Sequence, residues 1–590
     1  MEQTYSKKSR YLVLLIFCVA GMVIFDRSLV FVSAQMSIHR LIVIALNIFV
    51  IGAIPAVFAL VPGFTKITDC VLAWFVNLVK TCKRNWKNIL KYACLVAAAW
   101  VAAWILENCL LHAVLHEAAN DSRRVFIFAI LTLGIAVYGF RKRAGRKPEQ
   151  FFAVVALILG CMLIRISPAM LGTMVDDETH YARVLAEANL FDGSRLDVEQ
   201  KTLDDYALGI MNKFGYDRET RNAYYAQINA MYEQKKVVSP NVRLHGIWSF
   251  AYIPMAVGTI VGQGLSLSFV HTFMLAKFFN LLFYILLMYV AIRKVSYGKV
   301  LLATIGMIPT CIFMAANYSY DPWVIGFVVL AYAYFFYEIQ NPEKKLETKN
   351  AICMLVFLVA GCMPKAIYIV LGIPFLFMPK SKFASKKQRF WYYMPALAAG
   401  LALAATFVVP MLIHGIGEGD TRGGEDIDAT AQLAYVLTNP GKFASVIASF
   451  LKNEFFTVAN MQTYLQRYFY FGYGEFYGFA MGVIVVTAFL DKRDAEGMTV
   501  GVRISGVAAS FLAAVACAAV MYLVYSPVGG TQIGGCQGRY LLPMLFPFLV
   551  CVTPDKIDNR MNPHAFAMVP SLLLAATFFY NIYNMCVALY

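Results

Sequence analysis

Charge is scarce in this chain. Only 15% of its 590 residues are Asp, Glu, Lys or Arg, and 60% are hydrophobic. A soluble domain carries roughly a quarter charged residues, so this composition excludes an ordinary water-soluble fold and indicates an integral membrane protein. Cys-x-x-Cys pairs are missing, and most of the 13 cysteines lie inside apolar runs. Cysteine there behaves as a small hydrophobe, and a disulfide framework is not expected. Internal repeats of the kind found in many secondary transporters are also missing. Acids are the scarcer charge, at 35 against 51 Lys plus Arg, for a net charge of +16.

That excess does not imply a nucleic-acid partner, because the bases cluster in short loops between apolar runs. The loops include Lys80, Lys83, Arg84 and Lys87, then Arg141, Lys142, Arg143, Arg146 and Lys147, then Lys380, Lys382, Lys386, Lys387 and Arg389. Runs of spanning length cover 11–25, 40–62, 92–112, 123–140, 150–171, 269–292, 300–316, 321–339, 391–413, 474–490, 502–524 and 565–588. Shorter ones cover 350–363, 366–379 and 539–553, so the chain reads as a polytopic all-α bundle of about 15 spans. Segment 247–265, interrupted by Pro254 and glycines, reads as interfacial or re-entrant. With this count every basic loop falls on the side of the N-terminus. The positive-inside bias then places the N-terminus in the cytoplasm and the large loops 172–246 and 414–470 outside. The first run reads as a span and not as a cleaved signal.

Two parts are expected. Residues 1–148 hold four spans and no reactive constellation. Residues 149–590 hold the remaining spans and both loops. Helical spacing of apolar residues predicts amphipathic helices over 181–188, 218–232 and 440–456.

Four constellations stand out. Asp176-Asp177-Glu178-Thr179-His180 directly follows a span. Its carboxylates can serve as a general base or hold a divalent cation, or they can simply cap a helix. Asp321, in Asn317-Tyr318-Ser319-Tyr320-Asp321-Pro322, begins another span, where capping is the plain alternative. Arg165, Lys277, Lys365 and Arg539 run against the positive-inside bias; they either snorkel to the interface or hold an anion such as a lipid phosphate. The aromatic run 464–479 fits an interfacial belt or a sugar platform.

Five motifs occur in order: Asp177-Glu178-x-His180, Tyr252-x-Pro254, Ser319-Tyr320-Asp321, Pro364-Lys365-x-x-Tyr368 and Gln537-Gly538-Arg539-Tyr540-x-x-Pro543. Over 150–555 they resemble a family of bacterial predicted membrane proteins grouped with the GT-C glycosyltransferase superfamily. The resemblance implies a GT-C-like fold with two large external loops. It also implies transfer of a sugar from a polyprenyl-phosphate-linked donor, at the outer membrane face, to a cell-surface polysaccharide, teichoic-acid-like polymer or glycolipid. Catalytic roles would fall to Asp177, Glu178, His180 and Asp321, with Asp177 and Glu178 as ligands of a divalent metal, Mg or Mn. Lys365 and Arg539 would hold the lipid phosphate, and Tyr368, Tyr540, Gln537, Lys277 and Ser319 would line the substrate site. This chain departs from the family pattern with Lys277 in place of Arg and Asp176 in place of Pro. A transporter or flippase of lipid-linked saccharides is the alternative from another class, and a polymerase or ligase of a different fold is a third. Acids gathered at span ends, not at mid-span, favour transfer.

Overall fold

A computed structural model describes residues 6–32, most of 45–116, and 120–188 apart from 168, 170, 171 and 175. It also describes scattered parts of 189–249, and 250–587 apart from 415–426, 469–471, 492–497, 555, 556 and 558. The described chain is helical. Its β-structure is confined to two short antiparallel pairs, Arg195–Leu196 with Val237–Val238 and Arg467–Tyr468 with Gly472–Tyr473. Among the described residues, seven helices are long and apolar enough to cross a membrane: Trp86–Val114, Asp121–Phe140, Pro148–Ile166, Phe269–Lys294, Asp321–Ile339, Val500–Tyr525 and Pro563–Val587. Shorter apolar helices include Thr348–Cys362, Ala366–Phe377, Tyr477–Leu490 and Gly538–Val552. The expected helices at 181–188 and 440–456 are present, within Asp177–Ala188 and as Pro440–Phe450 continued to Phe455. The run 40–62, the helix expected at 218–232 and the acidic start of the 414–470 loop fall largely outside the described residues.

Local chemistry explains three irregular elements. Ala366–Phe377 is wound as a 3-10 helix with Pro374 inside it. At about 2 Å rise per residue, twelve residues reach roughly 24 Å, against about 18 Å as an α-helix. Its ends accordingly meet opposite ends of the bundle: Lys365 pairs with Asp321, while Lys382, just past the other end, bonds the carbonyls of Asn341 and Lys344. Pro309 breaks the run 300–316 into Lys299–Gly306 and Pro309–Ala315. The Gly306 carbonyl accepts from the Tyr284 hydroxyl at 3.0 Å, satisfying a group that lipid could not. Ile253–Gly264 is too short to span and lies against Phe269–Lys294 through Gly258 and Gly262. A Cβ at Gly258 would fall 2.7 Å from Ala276 Cα, so only glycine allows that approach. The first helix, Lys7–Val32, packs on the same element: the Ser28 hydroxyl donates to Gln263 at 2.7 Å.

Burial locates the core. The Asp321–Ile339 helix is 78% buried over its apolar window, whereas Trp86–Val114 is 11% buried. Both have spanning composition, but the first is the hub and the second presents its apolar side chains outward. Helix ends at the basic-loop end are stitched together. Asp491 accepts from the Leu301 amide at 2.8 Å, and Arg503 donates to the carbonyls of Cys551 and Thr553 at 3.0 Å. The acids singled out in the sequence collect at the other end.

Candidate functional site

The chain leaves the Pro148–Ile166 helix, turns, and enters Asp177–Ala188. Asp177 makes that turn. Its carboxylate accepts from the amides of Gly172, Thr173 and Met174 at 2.8–3.0 Å and from the Thr173 hydroxyl at 3.1 Å. Asp177 is 1% exposed. A carboxylate bonded to three backbone amides is stabilised in its ionised form and is a poor base. Its neighbour Asp176 has φ 66°, in the left-handed region that disfavours side chains. That conformation turns the Asp176 carboxylate the other way, to 3.4 Å from Arg539 Nη2. Glu178 belongs to the helix, and its side chain lies outside the described residues.

Asp321 is the centre of the site. The Ser319 hydroxyl, not the Asp321 carboxylate, receives the Asp321 amide at 3.1 Å and so supplies the local cap. The Asp321 side chain is left for longer-range partners. Lys365 Nζ lies 3.0 Å from Oδ1, and Arg539 Nε lies 3.3 Å from Oδ2. Four charged residues far apart in sequence thus form one chain: Asp176, Arg539, Asp321, Lys365. Burial works against the Lys365 ammonium, but Asp321 beside it outweighs that and holds its pKa above the usual lysine range. The Lys365 ammonium also sits 4.0 Å from the Tyr540 ring centre and 5.1 Å from that of Tyr320, within cation–π reach.

His180 closes one side. Its Nδ1 lies 2.9 Å from the Tyr252 hydroxyl, and its ring meets Tyr320 edge to face at 5.1 Å. Burial pushes its pKa down to about 4; Asp321 opposes that and Arg539 adds to it, so the imidazole is neutral near pH 7. Burial likewise raises the Tyr320 phenol.

Beside Lys365 opens a cavity of about 370 Å³. Tyr320, Lys365 and Tyr540 form its polar end. Pro364, Ala366, Ile367, Cys517, Val520 and Met521 form an apolar wall.

The remaining sequence-chosen residues divide. The Tyr368 hydroxyl donates to the Tyr540 carbonyl at 2.9 Å and ties the 3-10 helix to the Arg539 turn. The Gln537 carbonyl accepts from the Tyr540 amide at 3.1 Å within that turn. Lys277 stands apart: it is 2% exposed, donates to Asn317 at 3.0 Å, and lies 4.8 Å from the Phe273 ring. Asn317 is also 3.5 Å from the Thr173 hydroxyl, so Lys277 braces the Asp177 turn and not the cavity. The sequence places Asp176 in the 176–180 constellation and gives Tyr320 no role, and it does not single out Arg467. Arg467 and Arg539 line one small pocket with Met174 and Thr310; no local signal at Arg467 distinguishes it from a loop arginine.

Among the described residues, no three His, Cys, Asp or Glu side chains converge as a metal site. The two carboxylates that approach each other, Asp176 and Asp321, have the Arg539 guanidinium between them, where a divalent ion would have to sit. Asp177 has already committed both oxygens. Among the described residues, which leave out the Glu178 side chain, the donor set does not fit Mg or Mn.

No curated protein and no solved structure matches the chain. Residues 157–547 match the family described as predicted membrane protein (DUF2142), which spans the Asp177 turn, Asp321, Lys365 and Arg539. The chain belongs to that family.

Proposed function

We propose that this protein is a GT-C-like membrane glycosyltransferase of about 15 spans, with a cytoplasmic N-terminus and the Asp321 site at the outer face. It moves a sugar from a polyprenyl-phosphate-linked donor to a cell-surface polysaccharide, teichoic-acid-like polymer or glycolipid. The observation that carries this reading is the cavity beside Lys365: one cation and two tyrosines at one end, hydrocarbon along the wall. A phosphate joined to an isoprenoid tail has that same division of chemistry.

Lys365 and Arg539 contact the phosphate, and Asp321 positions both cations. Asp176 takes the acceptor proton. It is preferred over Asp177 because its side chain is 24% exposed and its contact to Arg539 is long, whereas Asp177 is consumed by its turn. In the transfer, the acceptor oxygen bonds to the anomeric carbon and the bond from that carbon to phosphate oxygen breaks. The electron pair leaves with polyprenyl phosphate, and the hydroxyl proton passes to Asp176. Neutral His180, held by Tyr252, packs the cluster without adding a charge.

The test is purified protein in lipid nanodiscs with a panel of radiolabelled polyprenyl-phosphate sugars and crude envelope acceptor. Label moving into acceptor with release of polyprenyl phosphate supports transfer. Binding of intact donor with its sugar linkage unbroken would favour a flippase. Orientation is checked by membrane-impermeant labelling of single cysteines at Thr430 and Lys344 in a cysteine-free background; labelling of the first only from the cytoplasmic side overturns the external site.

A further inference from the structure

We infer that an anionic phospholipid seats in a groove at the basic-loop end of the bundle, its chains against the 3-10 helix and its headgroup on a rim of lysines. Three elements wall this groove: Thr348–Cys362, Ala366–Phe377 and Lys386–His414. It holds about 340 Å³, and its lining is apolar, including Ile352, Leu355, Ile369, Leu376, Trp391 and Leu397. Ile352, Leu376, Trp391 and Leu397 are exposed on the flank of a membrane bundle. Water in such a gap would find few hydrogen-bond partners, so hydrocarbon fills it. The floor has room for a chain. Outside its own helix, a Cβ at Gly400 would meet only Ile369 Cγ1, at 4.0 Å.

The rim decides which lipid. Segments 341–349 and 379–389 are stitched into one surface. The Leu346 amide donates to the Lys382 carbonyl at 2.7 Å, Lys345 Nζ to the Ser381 carbonyl at 2.8 Å, and Gln388 Nε2 to the Leu346 carbonyl at 2.7 Å. That surface carries Lys345, Lys349, Lys380, Lys386, Lys387 and Arg389 against Glu343 and Glu347. None of these six cations is ion-paired among the described residues, whereas the buried Lys382 is paired with Glu338. Lys349 lies one helical turn before Ile352 and Lys387 one turn before Trp391, so charge continues two of the apolar walls. Trp391 marks the level, since an indole favours the boundary between headgroups and chains. Basic pockets between spanning helices select anionic headgroups, and each nearby Lys or Arg contributes about 1 kcal/mol. A zwitterionic headgroup carries the same phosphate without net charge and gains less. The groove lies toward the opposite end of the 3-10 helix from Lys365, and the inference stands whether or not the protein moves a sugar.

The test uses full-length protein in phosphatidylcholine vesicles doped with chain-brominated phosphatidylglycerol or chain-brominated phosphatidylcholine. Bromine quenches indole on contact, and Trp391 emission is read as the difference between the parent and Trp391→Phe. Half-quenching is expected at about a tenfold lower mole fraction of the brominated anionic lipid. Lys349→Gln combined with Lys387→Gln and Arg389→Gln should bring the two lipids together. Gly400→Leu and Ala396→Phe, which fill the groove and leave every rim charge in place, should also remove the preference. A preference kept in both filling variants but lost in the rim variant means diffuse attraction to the loops and overturns the groove site. A preference that survives the rim variant overturns the headgroup assignment, and equal quenching in the parent overturns the inference outright.

Discussion

The Asp321–Ile339 helix carries a buried carboxylate near each end, and the two are built differently. Glu338 forms an ion pair with Lys382 at 2.9 Å and accepts from the Asn350 side-chain amide. The Lys382 ammonium also donates to the Asn341 carbonyl at 2.9 Å and the Lys344 carbonyl at 2.6 Å. That pair is closed: side-chain exposures are 1% and 3%. Asp321 has two cations where Glu338 has one. Its Lys365 makes a single side-chain hydrogen bond and lines a cavity, and its Arg539 has an unsatisfied nitrogen. Buried polar groups that are fully satisfied hold a structure; groups left with spare valence cost free energy unless a ligand completes them. The comparison separates a brace from a site without reference to any relative.

Substitutions at the two ends should therefore fail in different ways. The largest effect is expected for Asp176→Asn: transfer falls about 10²–10⁴-fold, the contribution of a positioned base, while the melting temperature barely moves. Activity retained in that variant would remove Asp176 from the chemistry. Glu338→Gln comes next, with stability reduced by about 3–5 kcal/mol because Lys382 loses its counter-charge in a buried setting. Donor binding per folded molecule should be unchanged, measured on the monodisperse fraction. A Glu338 variant that folds normally but fails to bind would erase the distinction between the two ends of the helix. Lys365→Ala should weaken farnesyl phosphate binding by about 1.5–3 kcal/mol, the value of a hydrogen bond to a charged group.

A smaller effect concerns pH. His180 titrates near 6.5 when unfolded and near 4 when buried, so between those values the unfolded chain binds the extra proton. Stability is unaffected above about pH 6.5 and falls as pH drops from 6.5 toward 4. His180→Gln should flatten that limb, and an unchanged pH profile of thermal unfolding in the variant would exclude His180 as its origin. Tyr368→Phe should be the mildest change, losing one buried hydroxyl bond worth about 0.5–1.5 kcal/mol. Thermal unfolding checks it, and activity should persist.

Much of the fold was legible. The long runs within the described residues became helices, with 300–316 broken at Pro309, and even the short runs 350–363 and 366–379 became a helix and a 3-10 segment. The winding of the latter was not legible, because it depends on the depth its neighbours impose. At the site, Asp321, Lys365 and Arg539 were each visible as charges out of place at span ends. Their grouping was not, because it joins positions 44, 174 and 218 residues apart. Lys277 illustrates the converse: an equally conspicuous buried cation turned out to brace the Asp177 turn.

The sequence by itself determined the solvent of this protein and the end at which its out-of-place charges gather. Both follow from apolar run length and charge position, which are local and additive. Only the tertiary structure decided which acid does which work. Asp176 and Asp177 are adjacent and chemically identical, yet one backbone angle of φ 66° sends the first to Arg539 and leaves the second among backbone amides. No composition or spacing distinguishes them, because the difference lies in direction, and direction is set by what the rest of the chain places on either side.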